Sequence, residues 1–311
     1  MKILVVLAFA TTALSTSAHA FAQAVEAPVT GRWDLRVTGS GGDYPSWLEV
    51  RVSGERILIG RFVGRVGSAR PISRLTWTDG VLRFAIPPQW DRDTSDLRLE
   101  ARLQGDRLVG TITNPDGRRD GFVGTRAPAL VHTTPQWGEP IALFNEKDLT
   151  GWEPQGGESH WTVAHRVLTS TKSGANLMTK AKFSDFKLHV EFRYPKNGNS
   201  GVYLRGRYEV QIEDSPPRAI PLPDDIGGIY GFLWPNEYAA TGAGTWQTYD
   251  ITLVGRRVTV VLNGHPIIVD QLIPGPTGGA LDSDEGAPGP ILLQGDHMAI
   301  EYRNIRIWPA R

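Results

Sequence analysis

Apolar residues recur at every second position through the first half of the chain: Trp33, Leu35 and Val37; Leu48, Val50 and Val52; Leu82, Phe84 and Ile86; Leu97, Leu99, Ala101 and Leu103. A two-residue period puts these side chains on one face of an extended strand and their polar neighbours on the other. Asp79-Gly80, Gly105-Asp106 and Pro115-Asp116-Gly117 fall between the runs and supply the positive or fixed φ that tight turns demand. Residues 24–127 therefore predict a small β-meander or barrel. Pro128, Pro135 and Pro140, with few apolar pairs between them, predict a surface linker over 128–139.

The same period returns near Trp161 and runs through Phe186 to Tyr194, Val202 to Glu213, Trp246 to Val254, Val258 to Leu262, Ile291 to Gln294 and Ile300 to Trp308. Asn263-Gly264, two residues that tolerate positive φ, predicts a hairpin folding Val258, Val260 and Leu262 back against Ile267 and Val269. Many antiparallel strands with Gly/Pro loops and no long helical period imply an all-β β-sandwich or jelly roll over residues 140–311. Gly275 to Gly289, rich in Gly, Pro and Asp, predicts a long mobile loop near one rim.

At 311 residues the chain is long enough for two cores. Its 33 Lys plus Arg balance its 33 Asp plus Glu, which removes the global field that would hold nucleic acid or an anionic membrane. The absence of cysteine excludes disulfides, thiolate zinc sites, cysteine nucleophiles and a cysteine-anchored lipoprotein. Met1-Lys2, the apolar run Ile3 to Ala13 and the small-residue end Ala18-His19-Ala20 have the layout of a secretory signal peptide over 1–20, with Ala22-Gln23-Ala24 as a second cleavage site. That run is too short to span a bilayer. A periplasmic or secreted protein with no membrane span is the expectation.

Chemistry enters with the polar faces. In Lys187 to Arg193, Leu188, Val190 and Phe192 face one way and His189, Glu191 and Arg193 the other. The next segments repeat this, with Tyr203 and Arg205, then Glu209, Gln211 and Glu213, opposite the apolar set. If the two segments lie side by side, their carboxylates, arginines and amides share one hollow suited to a sugar. The alternative is an antiparallel face that is polar because water wets it.

Asn197-Gly198-Asn199-Ser200-Gly201-Val202-Tyr203-Leu204-Arg205, then Tyr208-Glu209-Val210-Gln211-Ile212 and Asp214, resembles the signature of the 3-keto-disaccharide hydrolase domain family. Leu143-Phe144-Asn145 through Gly151-Trp152 resembles its opening, Gly228-Ile229-Tyr230 a middle motif, and Leu293 to His297 with Tyr302 to Ile305 its close. Two places depart: Thr245-Trp246-Gln247 stands where Glu-Trp-Asn is usual, and Met298-Ala299 follows His297 where Gly or Pro is common. The resemblance implies a concanavalin A-like β-sandwich related to glycosidases. It also implies attack on glycosides oxidised to a ketone at the third carbon, with a separate dehydrogenase making that ketone.

Such chemistry needs a base, an acid and donors for an enolate oxygen. Glu209 and His297 are the proton-transfer candidates, with Glu191 as a second carboxylate. Arg205 suits the enolate oxygen. Gln211, Gln294 and Asn199 suit sugar hydroxyls, Asp214 a partner that it orients, and Trp234 a pyranose face. His160, His165 and His189 lack metal-ligand spacing. No cofactor or metal site is expected, although carboxylates leave a divalent cation open. Two rivals stand beside this reading: a conventional glycoside hydrolase with a carboxylate pair, and a non-catalytic carbohydrate-binding sandwich.

Overall fold

The computed structural model describes residues 27–90 and 93–311, so the expected export signal lies outside the described residues. Eight strands come first: β1 (Gly31–Thr38), β2 (Tyr44–Ser53), β3 (Ile57–Val63), β4 (Arg70–Thr78), β5 (Val81–Ile86), β6 (Leu97–Gln104), β7 (Arg107–Thr113) and β8 (Arg119–Arg126). Each pairs with the next, and β8 closes on β1, where Leu35 meets Gly124. The meander is thus a closed barrel. Its alternating set, including Trp33, Leu35, Leu48, Phe62, Leu82, Phe84, Leu99, Leu108 and Ile112, fills the interior. Eight strands leave room for side chains and little else. Asp79 (φ 53°) and Gly80 (φ 70°) make the two-residue turn that the sequence called for between β4 and β5.

The second half supplies β9 (Ile141–Ala142), β10 (Trp152–Gln155), β11 (Trp161–Ala164), β12 (Val167–Ser170), β13 (Asn176–Thr179), β14 (Phe186–Arg193), β15 (Asn199–Leu204), β16 (Tyr208–Glu213), β17 (Gln247–Val254), β18 (Arg257–Leu262), β19 (His265–Leu272), β20 (Leu292–Leu293) and β21 (Ile300–Pro309). They form a sandwich. One sheet runs β10-β13-β20-β15-β16; the other runs β11-β12-β21-β14-β17-β18-β19, with β9 on β21. Phe186, Leu188, Val190 and Phe192 of one sheet share a core with Val202, Leu204, Val210 and Ile212 of the other. Each such side chain, fully buried, contributes roughly 1.5–3 kcal/mol. The Asn263-Gly264 hairpin forms as expected, with both residues at positive φ, but bulges in β18 shift its register so that Val260 meets Ile268 and Val269 is exposed. Among the described residues no helix is long and apolar enough to cross a membrane.

Two expectations are corrected. The segments 187–193 and 201–213 are not neighbours: β14 lies between β21 and β17, while β15 and β16 belong to the opposite sheet. Alternation fixes which face of a strand is apolar, not which strand lies beside it. The chain crosses between sheets in the turn at Pro195–Gly198, where Asn197 takes φ 60°, so the polar faces of β14 and β15–β16 look out of opposite sides of the molecule.

The second correction concerns 275–289. This segment is a packed strap between barrel and sandwich rather than a loose rim loop. Thr277 N–H donates to Arg207 O, Gly279 N–H to Arg65 O, and Ser283 Oγ to Leu35 O, while Glu285 is fully buried. Trp47 of the barrel completes the seam by packing edge-on to Phe232 of the sandwich, with ring centres 5.5 Å apart. Arg32 Nη1 donates across the seam to Pro274 O. The expected linker also lies against the folded halves, since Arg32 donates to Pro128 O and Trp137 bridges to Ala310.

Candidate active site

On the outer face of the five-stranded sheet, β15 and β16 pair Tyr203 with Glu209, Gly201 with Gln211, and Asn199 with Glu213. Period two turns these residues away from the core. Here they meet the strap at Gly278–Gly279, the turn Gln294–His297, Tyr230, Asn176, and Val66, Gly67 and Trp90 of the barrel. The cavity, open on one side, measures about 310 Å³. Both halves of the chain wall it.

Local backbone geometry explains how these side chains converge. Gly201 has no side chain, and a Cβ there would stand 2.4 Å from Glu209 Oε1, so the carboxyl lies over the neighbouring strand. Tyr230 N–H donates to Glu209 O, which ties the loop after β16 to that strand. A Cβ on Gly295 would meet Ala175 O at 2.4 Å, so only glycine lets this turn approach β13 and present Asp296 and His297. Gln294 is held from both sides: its N–H donates to Gly201 O and its carbonyl accepts from Ser200 Oγ.

The cavity's electrostatics set two titrating groups against each other. Burial pushes the Glu209 carboxyl up to about 8, while the Tyr203 hydroxyl and the His297 charge oppose that rise. Tyr203 Oη lies 2.9 Å from Glu209 Oε2 and 3.0 Å from Gly278 O, yet a phenol has one proton. When Glu209 is protonated it can donate to the phenol, which then donates to Gly278, and all three atoms are satisfied. When Glu209 is ionised, the phenol turns to it and Gly278 loses its donor. His297 Nδ1 lies 2.7 Å from Asp296 Oδ1; that hydrogen bond, and then the Asp296, Glu209 and Glu213 charges, raise the imidazole above its usual range against the effect of burial. Gln211 Oε1 and Gln294 Oε1 are buried without a partner, the state expected of groups that a ligand satisfies. Among the described residues no group of three or more His, Asp and Glu is arranged to hold a metal ion.

Residues 139–308 match the family described as the 3-keto-alpha-glucoside-1,2-lyase-like domain. The chain belongs to this family. Membership makes it a glycosidase-like enzyme, and the family read from the Asn197–Asp214 motif is the one found. No curated protein matches the chain. Among solved structures, a candidate glycosyl hydrolase from Parabacteroides distasonis is 31% identical, with a TM-score of 0.47 over 57% of this chain and 91% of that one. A second candidate glycosyl hydrolase from the same organism is 24% identical, with a TM-score of 0.42 over 55% of this chain and 98% of that one.

The family motifs converge on the cavity. Asn199, Glu209, Gln211, Gln294 and His297 all line it, as do Tyr230 of the middle motif and Asp296 of the closing one. Four sequence candidates lie elsewhere. Glu191 sits on the opposite sheet's outer face, where it accepts from Arg303 Nε at 2.6 Å and Asn304 Nδ2 at 2.8 Å. Arg205 breaks the alternation because φ 53° in the β15–β16 turn swings it away from the outer face. Its guanidinium is buried, donating to Tyr208 Oη and Gly255 O. Asp214 accepts from Asn197 N–H and so fixes the turn that crosses between sheets. Trp234 is half exposed outside the cavity wall.

Sequence reasoning did not select Tyr203 or Tyr230, although Tyr203 was on the outward set and Tyr230 stood in a quoted motif. Asn176, Val66, Gly67 and Trp90 carried no signal, because they arrive from a distant strand and from the barrel.

Proposed function

We propose that this protein is exported and cleaves 3-keto-glycosides by elimination followed by hydration. The observation that carries the reading is a nearly inaccessible carboxyl, Glu209, on the wall of a sugar-sized polar cavity beside an imidazole that Asp296 holds toward its charged form. A ketone at the third carbon acidifies the hydrogen on the second. Ionised Glu209 removes that hydrogen, and the bonding pair becomes the C2–C3 double bond of an enolate. The enolate then collapses, restoring the ketone, forming a C1–C2 double bond and breaking the bond from C1 to the glycosidic oxygen. His297 gives its proton to the departing oxygen. Water adds its hydroxyl to C1 and gives its other proton back to His297, the proton on Glu209 returns to C2, and the sum is hydrolysis without net oxidation or reduction.

The amides of Asn199, Gln211 and Gln294 take the ketone oxygen and ring hydroxyls, a role suited to groups that both donate and accept. Tyr230, pushed up to about 12 by burial and the Glu209 charge, stays protonated as a further donor. A separate dehydrogenase supplies the ketone, and the scheme draws on no cofactor. A conventional retaining pair would need a second free carboxylate about 5 Å from the first. Of the two carboxylates on the cavity wall, Asp296 is already committed to His297.

Incubation of the purified protein with a disaccharide and with its 3-keto derivative, with and without a chelator, tests the proposal. Free sugars should appear from the 3-keto compound alone, unchanged by the chelator, and Glu209→Gln should stop their release. Cleavage confined to the unoxidised sugar overturns the reading, and an unaffected Glu209→Gln variant removes Glu209 from it.

A further inference from the structure

The barrel ends in a second hollow of about 270 Å³ that shares Val66 and Trp90 with the active-site cavity. The two hollows therefore meet at these residues, and Trp90 is 44% exposed. The family match begins at residue 139, so this hollow is built entirely from chain outside the matched domain.

Its lining is chemically specific. Among the described residues the lining holds Arg65, Arg70 and Arg118 with Asp93, Asp116 and Asp120; Arg65 donates to Gly41 O and Gly42 O and Arg118 pairs with Asp116, so both signs of charge and several carbonyls meet there. Such a set fits an uncharged polyol better than an anion. Asp120 is 4% exposed; its Oδ2 accepts from Asn114 Nδ2 at 2.8 Å and from Tyr44 Oη at 3.2 Å, while its Oδ1 is buried with no partner. Arg70 is half-buried and, among the described residues, has no acidic partner. A buried carboxylate oxygen without a donor is a costly arrangement that a bound hydroxyl-rich ring relieves. Trp90, at the junction, offers such a ring an apolar face.

We propose that the barrel end is the subsite for the leaving-group sugar: a neutral hexose unit sits there while the 3-keto ring occupies the Glu209 cavity. This rests on the function proposed above, which requires a second unit on the far side of the glycosidic oxygen. The barrel would then select disaccharides over simple alkyl glycosides.

Steady-state kinetics on the 3-keto derivatives of maltose and of methyl α-glucoside test this, using the full chain and the variants Arg70→Gln and Arg118→Ala. Neither residue lines the Glu209 cavity. Each variant should raise KM for 3-keto-maltose about tenfold with kcat retained, and leave kcat/KM for the methyl glycoside within twofold of wild type. Equal loss on both substrates, or no loss on either, overturns the proposal. If the wild type cleaves neither substrate, the proposed reaction fails, and calorimetric binding of maltose decides the subsite: tenfold weaker binding by Arg70→Gln supports it and unchanged binding rejects it.

Discussion

Gly201 and Glu209 occupy one space: the carboxyl on β16 fills the room that a side chain on β15 would need, with Oε1 2.4 Å from the position of a Cβ at 201. Gly201 is not among the residues with positive φ, so alanine suits its backbone and the Glu209 side chain, from Cγ outward, has to move. Gly201→Ala should therefore cost about 1–3 kcal/mol of stability, as overpacking does. Displacing a reactive group by about 1 Å costs on the order of 10² in rate, so kcat on a 3-keto substrate should fall by at least that much. Thermal unfolding and initial rates on the same preparation separate the two effects. A variant that folds with full activity would show that Glu209 does not react from its observed position.

The pH dependence follows from the same carboxyl. Glu209 titrates near 8 and abstracts a proton only when ionised, so its ionisation should give kcat/KM a limb that rises with pH toward that value, opposed on the alkaline side by loss of the His297 proton. The Tyr203 hydroxyl stabilises the ionised form and holds the titration down. Tyr203→Phe removes that donor, and the rising limb should move to higher pH. A limb that stays in place or moves to lower pH would separate the observed titration from Glu209.

How far the chain could be read in advance depended on what kind of information each feature needs. Trp33-Leu35-Val37 and its successors fixed strand faces because period two is local, and Asp79-Gly80 fixed a turn because its φ values are local too. The outward direction of Glu209 and Gln211 was legible for the same reason. Which strand lies beside which was not: β14 and β15 carry the same alternation, and nothing in Lys187 to Arg193 says that its partner is β17 rather than β15. Arg205 was misdirected because one positive φ in a turn resets the alternation. The strap at 275–289 was hidden by its composition, since the burial of Glu285 and the Ser283 bond to Leu35 depend on a barrel that arrives from more than two hundred residues upstream.

His297, as the acid for the departing oxygen, should matter in proportion to how poor the leaving group is. General-acid assistance contributes about 10²–10⁴ in rate. His297→Asn should lose activity in that range on a 3-keto-disaccharide, whose leaving group is an alkoxide. It should lose far less on a 3-keto nitrophenyl glycoside, whose leaving group departs without a proton. Comparison of the two substrates is the measurement, and equal losses would assign His297 to the first proton transfer or to binding instead.

The seam between barrel and sandwich carries its own pH signature. Asp34 on β1 is raised from its ordinary 3.8 chiefly by burial and then by the neighbouring Glu285 charge, against Arg32 and Arg207. Glu285 is raised by burial too, against the Arg32, Arg205 and Arg207 charges. A carboxyl whose folded pKa exceeds its unfolded value gives the folded state a proton that the unfolded state has already lost. Its stabilising effect is complete below pH 4 and is lost as pH rises through the folded value. Wild-type stability should therefore decline from about pH 4 through neutrality, and part of that decline belongs to this pair. Asp34→Asn keeps the shape, cannot ionise, and lowers the cost of ionising Glu285. It should match wild type near pH 4 and grow progressively more stable than it toward pH 8. Urea unfolding across that range reads the difference directly, and parallel curves for the two proteins would place the titration elsewhere.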